Sequence, residues 1–173
     1  MKRLLLALFL APFAFSPRAS FADETKSSYM HYLRGLMLEH QGAFTEAIQE
    51  YQTALSLDPQ STFLVEQTVQ LALETGRSDI ALDLAQRLTK LEPKSHKAFY
   101  LLGTVHWSRG EVAPAQAAFE QTLKVNPRFS EAMLALGNLL SAQSPDKAKD
   151  YFRDYLKANP EGADEAHYQI ALL

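Results

Sequence analysis

One phrase recurs down this chain at a fixed interval. Gly42–Pro59 reads GAFTEAIQEYQTALSLDP, Gly76–Pro93 reads GRSDIALDLAQRLTKLEP, and Gly110–Pro127 reads GEVAPAQAAFEQTLKVNP. A shortened version, SPDKAKDYFRDYLKANP, runs from Ser144 to Pro160. Ala47, Ala81 and Ala115 are spaced by 34 residues, as are Pro59, Pro93 and Pro127; the step to Ala148 and Pro160 is 33. A period of this size marks a stacked array, because each unit can bury its apolar face only against its neighbours.

Each unit divides into two helices. Ser27, Ser61 and Ser95 stand where a side-chain oxygen can cap the first helix. In HKAFYLLGTVHWSR the residues Phe99, Leu102, Val105 and His106 fall on one helical face. Gly42, Gly76 and Gly110 end the first helices, since glycine takes a left-handed turn without a Cβ clash. The second helix carries Ala47, Tyr51, Ala54 and Leu55 in unit one, and Ala115, Phe119, Thr122 and Leu123 in unit three. The prolines stop it, and each disfavours helix at the residue before: Asp58, Glu92, Asn126 and Asn159.

Small residues at 47, 81, 115 and 148 let two antiparallel helices approach closely. Gly35, Gly103 and Gly137 do the same from the facing helix. A glycine inside a helix costs roughly 0.5–1 kcal/mol relative to alanine, so close packing is the expected compensation. Tyr51, Phe119 and Phe152 fill the space beyond. Unit two carries Val69 and Ala85 at these places and trades the same volume across the interface.

The recurring small residue, aromatic and proline resemble the tetratricopeptide repeat (TPR) family over about residues 28–161. The resemblance implies an all-α fold, a right-handed α-solenoid of about four helix–turn–helix repeats. It also implies a concave groove lined by the first helices, and the holding of proteins or peptides as the usual work. The units are 28–61, 62–95, 96–129 and 130–162, the last one residue short near Ser144–Pro145. Residues 163–173 form a capping helix or the start of a fifth repeat. His31 and Met133 depart from the family's frequent tryptophan, and Arg34 from an expected leucine.

First-helix residues not needed for packing are expected on the concave side. The candidate peptide-binding groove is Tyr32, Leu36, Phe63, Glu66, Gln70, Tyr100, Thr104, Trp107, Leu134 and Asn138. Aromatic anchors beside a few polar groups are what peptide recognition uses. Tyr29 and Phe63 equally suit packing between neighbouring helices. One use of the family is a basic clamp on a partner's C-terminal carboxylate. Here those places hold Tyr32, Leu36, Gln67, Lys97 and Leu101, so no such clamp is expected. With Glu39, Glu66 and Glu74 nearby, the expected partner is a protein or peptide of apolar and basic character.

Chemistry is sparse elsewhere. No two of His31, His40, His96, His106 and His167 stand at the helical ligand step of a motif such as H-E-x-x-H. There is no cysteine, hence no thiolate metal site or cysteine nucleophile. Ser95–His96 lacks a strand-to-helix elbow and an orienting acid. The expectation is a non-enzyme, without catalytic, cofactor-binding or metal residues.

The N-terminus reads as an export signal. Lys2 and Arg3 precede the apolar run Leu4–Phe15, and Ser20 and Ala22 offer a cut after Ala22. Twelve helical residues span only about 18 Å, short of a hydrocarbon core of about 30 Å. So residues 1–22 are expected to be a cleavable signal peptide and 23–27 a short lead, with an uncleaved anchor as the alternative. Setting 1–22 aside removes three basic side chains and leaves 14 basic against 20 acidic, a net of −6. That argues against nucleic acid, which calls for a basic face. The mature chain is expected without an integral membrane segment, periplasmic or else secreted.

At the far end, ADEAHYQIALL matches the first helix of a further unit, with Ala166, Ile170 and Leu173 packing on unit four. Tyr168, Leu172 and Leu173 could then meet a partner or a second copy, giving self-association through the C-terminal helix. The expected function is a protein- or peptide-binding scaffold or adaptor in the bacterial cell envelope. The alternatives are a structural spacer acting through its ends, or a non-catalytic glycan-binding accessory of an envelope enzyme.

Overall fold

The computed structural model describes residues 21–159 and 163–173. Within them the helices follow in order: α1 (Phe21–His40), α2 (Phe44–Leu57), α3 (Thr62–Glu74), α4 (Ser78–Leu91), α5 (His96–Ser108), α6 (Val112–Val125), α7 (Ser130–Leu140), α8 (Pro145–Ala158) and α9 (Ala163–Leu172). The described residues hold no strand, and the fold is an all-α solenoid. Each odd-numbered helix from α1 to α7 pairs with the helix after it. Each hairpin meets the next through its first helix: α3 on α2, α5 on α4, α7 on α6 and α9 on α8.

The turns follow from the glycines. Gly42, Gly76 and Gly110 have φ of 75°, 71° and 73°. The amide after each glycine donates back five residues: Ala43 to Leu38 O at 2.9 Å, Arg77 to Ala72 O at 2.7 Å, and Glu111 to His106 O at 2.9 Å. These bonds satisfy carbonyls that the helix end would otherwise leave open. The fourth turn has no glycine. There the Ser144 amide donates to Leu140 O at 2.8 Å, and Pro145 opens α8, where an N–H has no helical partner anyway.

Second helices end at Asp58, Glu92, Asn126 and Asn159, whose φ values are −128°, −125°, −132° and −137°. Pro59, Pro93 and Pro127 follow them. Pro160 and Gly162 lie outside the described residues, as does the stretch 1–20 carrying the export-signal pattern.

Two of the three expected serine caps form. Ser61 accepts from the Leu64 amide and Ser95 from the Ala98 amide, each at 3.4 Å. Ser27 does not cap, because α1 begins at Phe21 and passes through it. Thr25 stands one period before Pro59, so the proline that precedes the other cap serines is missing here, and residues 23–27 are helical. Next to it, the Ser28 hydroxyl is buried and donates to Ala54 O at 2.9 Å, tying α1 to α2.

The core is a row of closely crossed hairpins. Tyr51, Phe119 and Phe152 are fully buried against Gly35, Gly103 and Gly137. Burying one such ring contributes about 1.5–3 kcal/mol. In unit two Val69 and Ala85 are both fully buried in one cluster, the exchanged form of the same contact. Arg34 is tolerated because no described helix stacks ahead of it: its side chain is exposed, whereas at the same repeat position Thr68 and Leu136 are fully buried and Leu102 is half-buried.

At the far end Ala166 is fully buried, and Ile170 and Leu173 pack on the cluster of Met133, Phe152 and Tyr155. Tyr168 and Leu172 are exposed. Leu173, a candidate outward-facing residue, is instead half-buried against α8, one face of the short helix being enough to seat it. No described helix is long and apolar enough to cross a membrane.

Candidate functional site

The period places Tyr32, Glu66, Tyr100 and Leu134 in one row on successive first helices, and Leu36, Gln70, Thr104 and Asn138 in the next. Two recesses open along these rows. The first, about 120 Å³, is lined by Tyr29, Tyr32, Asp58 and Phe63 among others. Tyr32 is its hub. The ring stacks on Tyr51 with centroids 5.6 Å apart and meets Phe63 edge-on at 5.2 Å. Tyr32 is therefore half-buried and part of the packing, while Tyr29 and Phe63 are exposed.

The second recess, about 260 Å³, lies between α5, α7 and α8. Tyr100, Trp107, Glu131, Leu134, Asn138 and Tyr155 line it, with Asn159 at its edge. Tyr100 is wedged between Phe119 and Phe129, with centroids at 5.6 and 5.1 Å. Trp107 meets Phe119 at right angles, 6.2 Å away, and stays 40% exposed. The packing thus holds the indole against Phe119 and leaves part of it to solvent.

The charges around the groove are mostly acidic. Burial, then the Glu131 carboxylate, holds the Tyr100 phenol above its ordinary pKa, against a hydrogen bond with Thr104. Burial and then Glu92 raise the Glu66 carboxyl, opposed by Lys97. Glu39 accepts a 2.7 Å hydrogen bond from the Tyr51 hydroxyl.

Of the candidate groove residues, Tyr100, Trp107, Leu134 and Asn138 share the second recess, and Tyr32 and Phe63 share the first. Leu36, Glu66, Gln70 and Thr104 line neither. Leu36 and Glu66 are half-buried, Gln70 is exposed, and Thr104 donates to Tyr100 O at 3.0 Å. Sequence reasoning missed Tyr155 and Asn159, which come from a second helix. The signal was present, since Tyr155 replaces the Ala54, Leu88 and Thr122 of earlier units.

Two histidines do find carboxylates, at separations outside the helical step. His31 Nδ1 lies 2.6 Å from Glu50 Oε2, and His106 Nδ1 lies 2.6 Å from Glu111 Oε2. Glu111 also accepts from Arg109 Nε at 2.8 Å, and Arg109 reaches Asp79 Oδ1 at 2.6 Å. Arg109 first, then His106, lowers the Glu111 pKa. This cluster ties unit three to unit two at the turn end. Among the described residues no group of three or more His, Asp or Glu is placed to hold a metal.

Four hairpins, each seated on the one before through its first helix, define a helical-repeat array. The chain belongs to the tetratricopeptide repeat family, whose profiles match residues 28–61, 67–115 and 100–163. It is 29% identical over 107 residues to the small glutamine-rich tetratricopeptide repeat-containing protein 2 of Mycosarcoma maydis, covering 60% of this chain and 30% of that protein. Across such relatives it spans between 4% and 54% of their length. Among solved structures it superposes on MamA with a TM-score of 0.76 at 22% identity, covering 85% of this chain and 80% of that one. It also superposes on YrrB, described as a TPR protein with an unusual peptide-binding site, with a TM-score of 0.67 at 20% identity, covering 88% and 81%. These two likenesses speak to the fold.

Proposed function

We propose that this protein is a non-catalytic scaffold that holds a peptide or protein segment in its concave groove, and that it works in the bacterial cell envelope after export. The observation that carries the groove reading is the pair of aromatic-lined recesses on one face, with Phe63 51% and Trp107 40% exposed where the core has no need of them. Large rings left on a concave surface beside polar groups suit peptide anchoring. Peptide binding by the fold relative YrrB supports the same reading. The acidic groove positions Glu39, Glu66 and Glu131 outnumber the single basic one, Lys97, which favours a partner of apolar and basic character. Export rests on the pattern of residues 1–22.

The test is capture from periplasmic extract with residues 23–173, beside a Phe63→Ala/Trp107→Ala protein. These two rings are chosen over Tyr32 because their removal spares the core. A partner held by the first and lost by the second, with equal helix content, supports the groove. Equal capture by both moves the site elsewhere. Recovery of the whole protein from cytoplasm, with its first 22 residues intact, would sink the envelope assignment.

A further inference from the structure

In the recess between α5, α7 and α8 an exposed carboxylate that no described cation pairs stands beside two aromatic rings. Glu66 has Lys97 in its field, and Glu39 is engaged by the Tyr51 hydroxyl. Glu131 takes part in none of the ion pairs among the described residues; its only hydrogen bond there is from Ser130, at 3.1 Å. The rings of Tyr100 and Trp107 share the recess with it.

The polar groups around that carboxylate offer a guest further hydrogen bonds. Asn138 presents a carboxamide that makes no hydrogen bond among the described residues. The Tyr155 hydroxyl oxygen accepts from Asn159 Nδ2 at 2.9 Å, which leaves its own O–H to donate to a guest. At about 260 Å³ the recess falls below the roughly 300–1,000 Å³ of small-molecule sites, which suits one long side chain better than a cofactor.

We propose that this recess is a subsite for a single arginine side chain of the bound peptide. A guanidinium is planar and weakly hydrated, so it can lie against an indole or phenol ring while its N–H groups donate to a carboxylate and an amide oxygen. Lysine offers the charge without the stacking plane. The subsite rests on the groove reading above and adds to it the residue type that the groove selects.

Trp107 is the single tryptophan in the chain, so its emission reports on this recess directly. The probe is the blocked pentapeptide acetyl-Ala-Leu-Arg-Leu-Ala-amide, titrated beside the same peptide with citrulline, the neutral isostere, in place of arginine. The expected result is a saturable change in Trp107 emission with affinity about tenfold higher for arginine, the size of one charge-assisted hydrogen bond. Glu131→Gln should abolish that preference, bringing the arginine and citrulline affinities together. Equal affinities, or a preference that survives Glu131→Gln, would overturn the subsite while leaving the groove reading intact. No saturable change with either peptide, or one produced instead by a chitin oligosaccharide, would overturn it as well. The groove reading itself stands or falls on the capture experiment, where Phe63 contributes far from this recess.

Discussion

A Cβ placed on Gly103 would lie 2.5 Å from Cδ1 of Phe119, so the α5 backbone and the α6 ring are in direct contact with no room for one added carbon. The ring is fully buried and has nowhere to retreat. Gly103→Ala is expected to lower stability by about 1–3 kcal/mol through overpacking. Alanine's better helix propensity offsets only about 1 kcal/mol of the strain. Unit two supplies the remedy in Val69 and Ala85. The pair Gly103→Val with Phe119→Ala should therefore lose less than the two single changes added together, by at least about 0.5 kcal/mol. Urea unfolding of the four proteins measures this, and strict additivity would mean that the two sites do not compete for volume.

Gly110 separates backbone strain from crowding. Its φ is +73°, and a Cβ there would meet nothing within 4 Å. Gly110→Ala should cost about 1–2 kcal/mol for the left-handed conformation alone, and Gly110→Asn visibly less, because asparagine visits that region. Equal losses in the thermal midpoints of the two variants would count against the left-handed turn as the source.

Among the described residues the array has an uncovered end, and repeat position shows where. Met37 is 62% exposed, while Leu71, Val105 and Leu139 at the same position are 2%, 0% and 8% exposed. Each of the later three is covered by the helix before it, and Met37 has no such cover in the described residues. Leu71→Ala should cost about 2–5 kcal/mol by cavity formation. Met37→Ala should stay within about 0.5 kcal/mol, as at an ordinary surface site. A large loss at Met37, read from the urea midpoint of the full chain, would mean that this face is covered in solution.

The hairpins were legible because the residues that form them repeat. Glycine at the turn, a small residue facing an aromatic, and proline after the second helix each answer a local backbone or packing demand. The period then aligns those demands between units. The start of α1 was not legible from the same signals: Ser27 matched the other caps, but Thr25 lacks the proline that frees a cap residue from the preceding helix. The groove was legible as a face and not as a site. Periodicity puts Tyr100, Trp107 and Asn138 on one side of the stack, but the recess they share is completed by Tyr155 from a second helix. That contact depends on a ring present in one unit alone, which no repeat average can reveal.

Tyr51 gives the array a direction of pH dependence. Its phenol is held well above the ordinary tyrosine pKa, chiefly by burial and then by donating to Glu39. Burial, its largest cause in each, also raises Tyr100 and Tyr151. As pH climbs past about 10 the unfolded chain loses its phenolic protons first, while the folded chain keeps them. The contribution is therefore whole below about pH 10 and is lost as pH rises toward the folded values. Tyr51→Phe should be less stable than the parent at about pH 8, by about 1 kcal/mol for the lost hydrogen bond. It should then lose less than the parent between about pH 9 and about pH 11, because one of the groups that drive the loss is gone. Urea midpoints of both proteins across that interval decide the matter: converging curves support the assignment, and parallel ones would place the alkaline sensitivity in other groups.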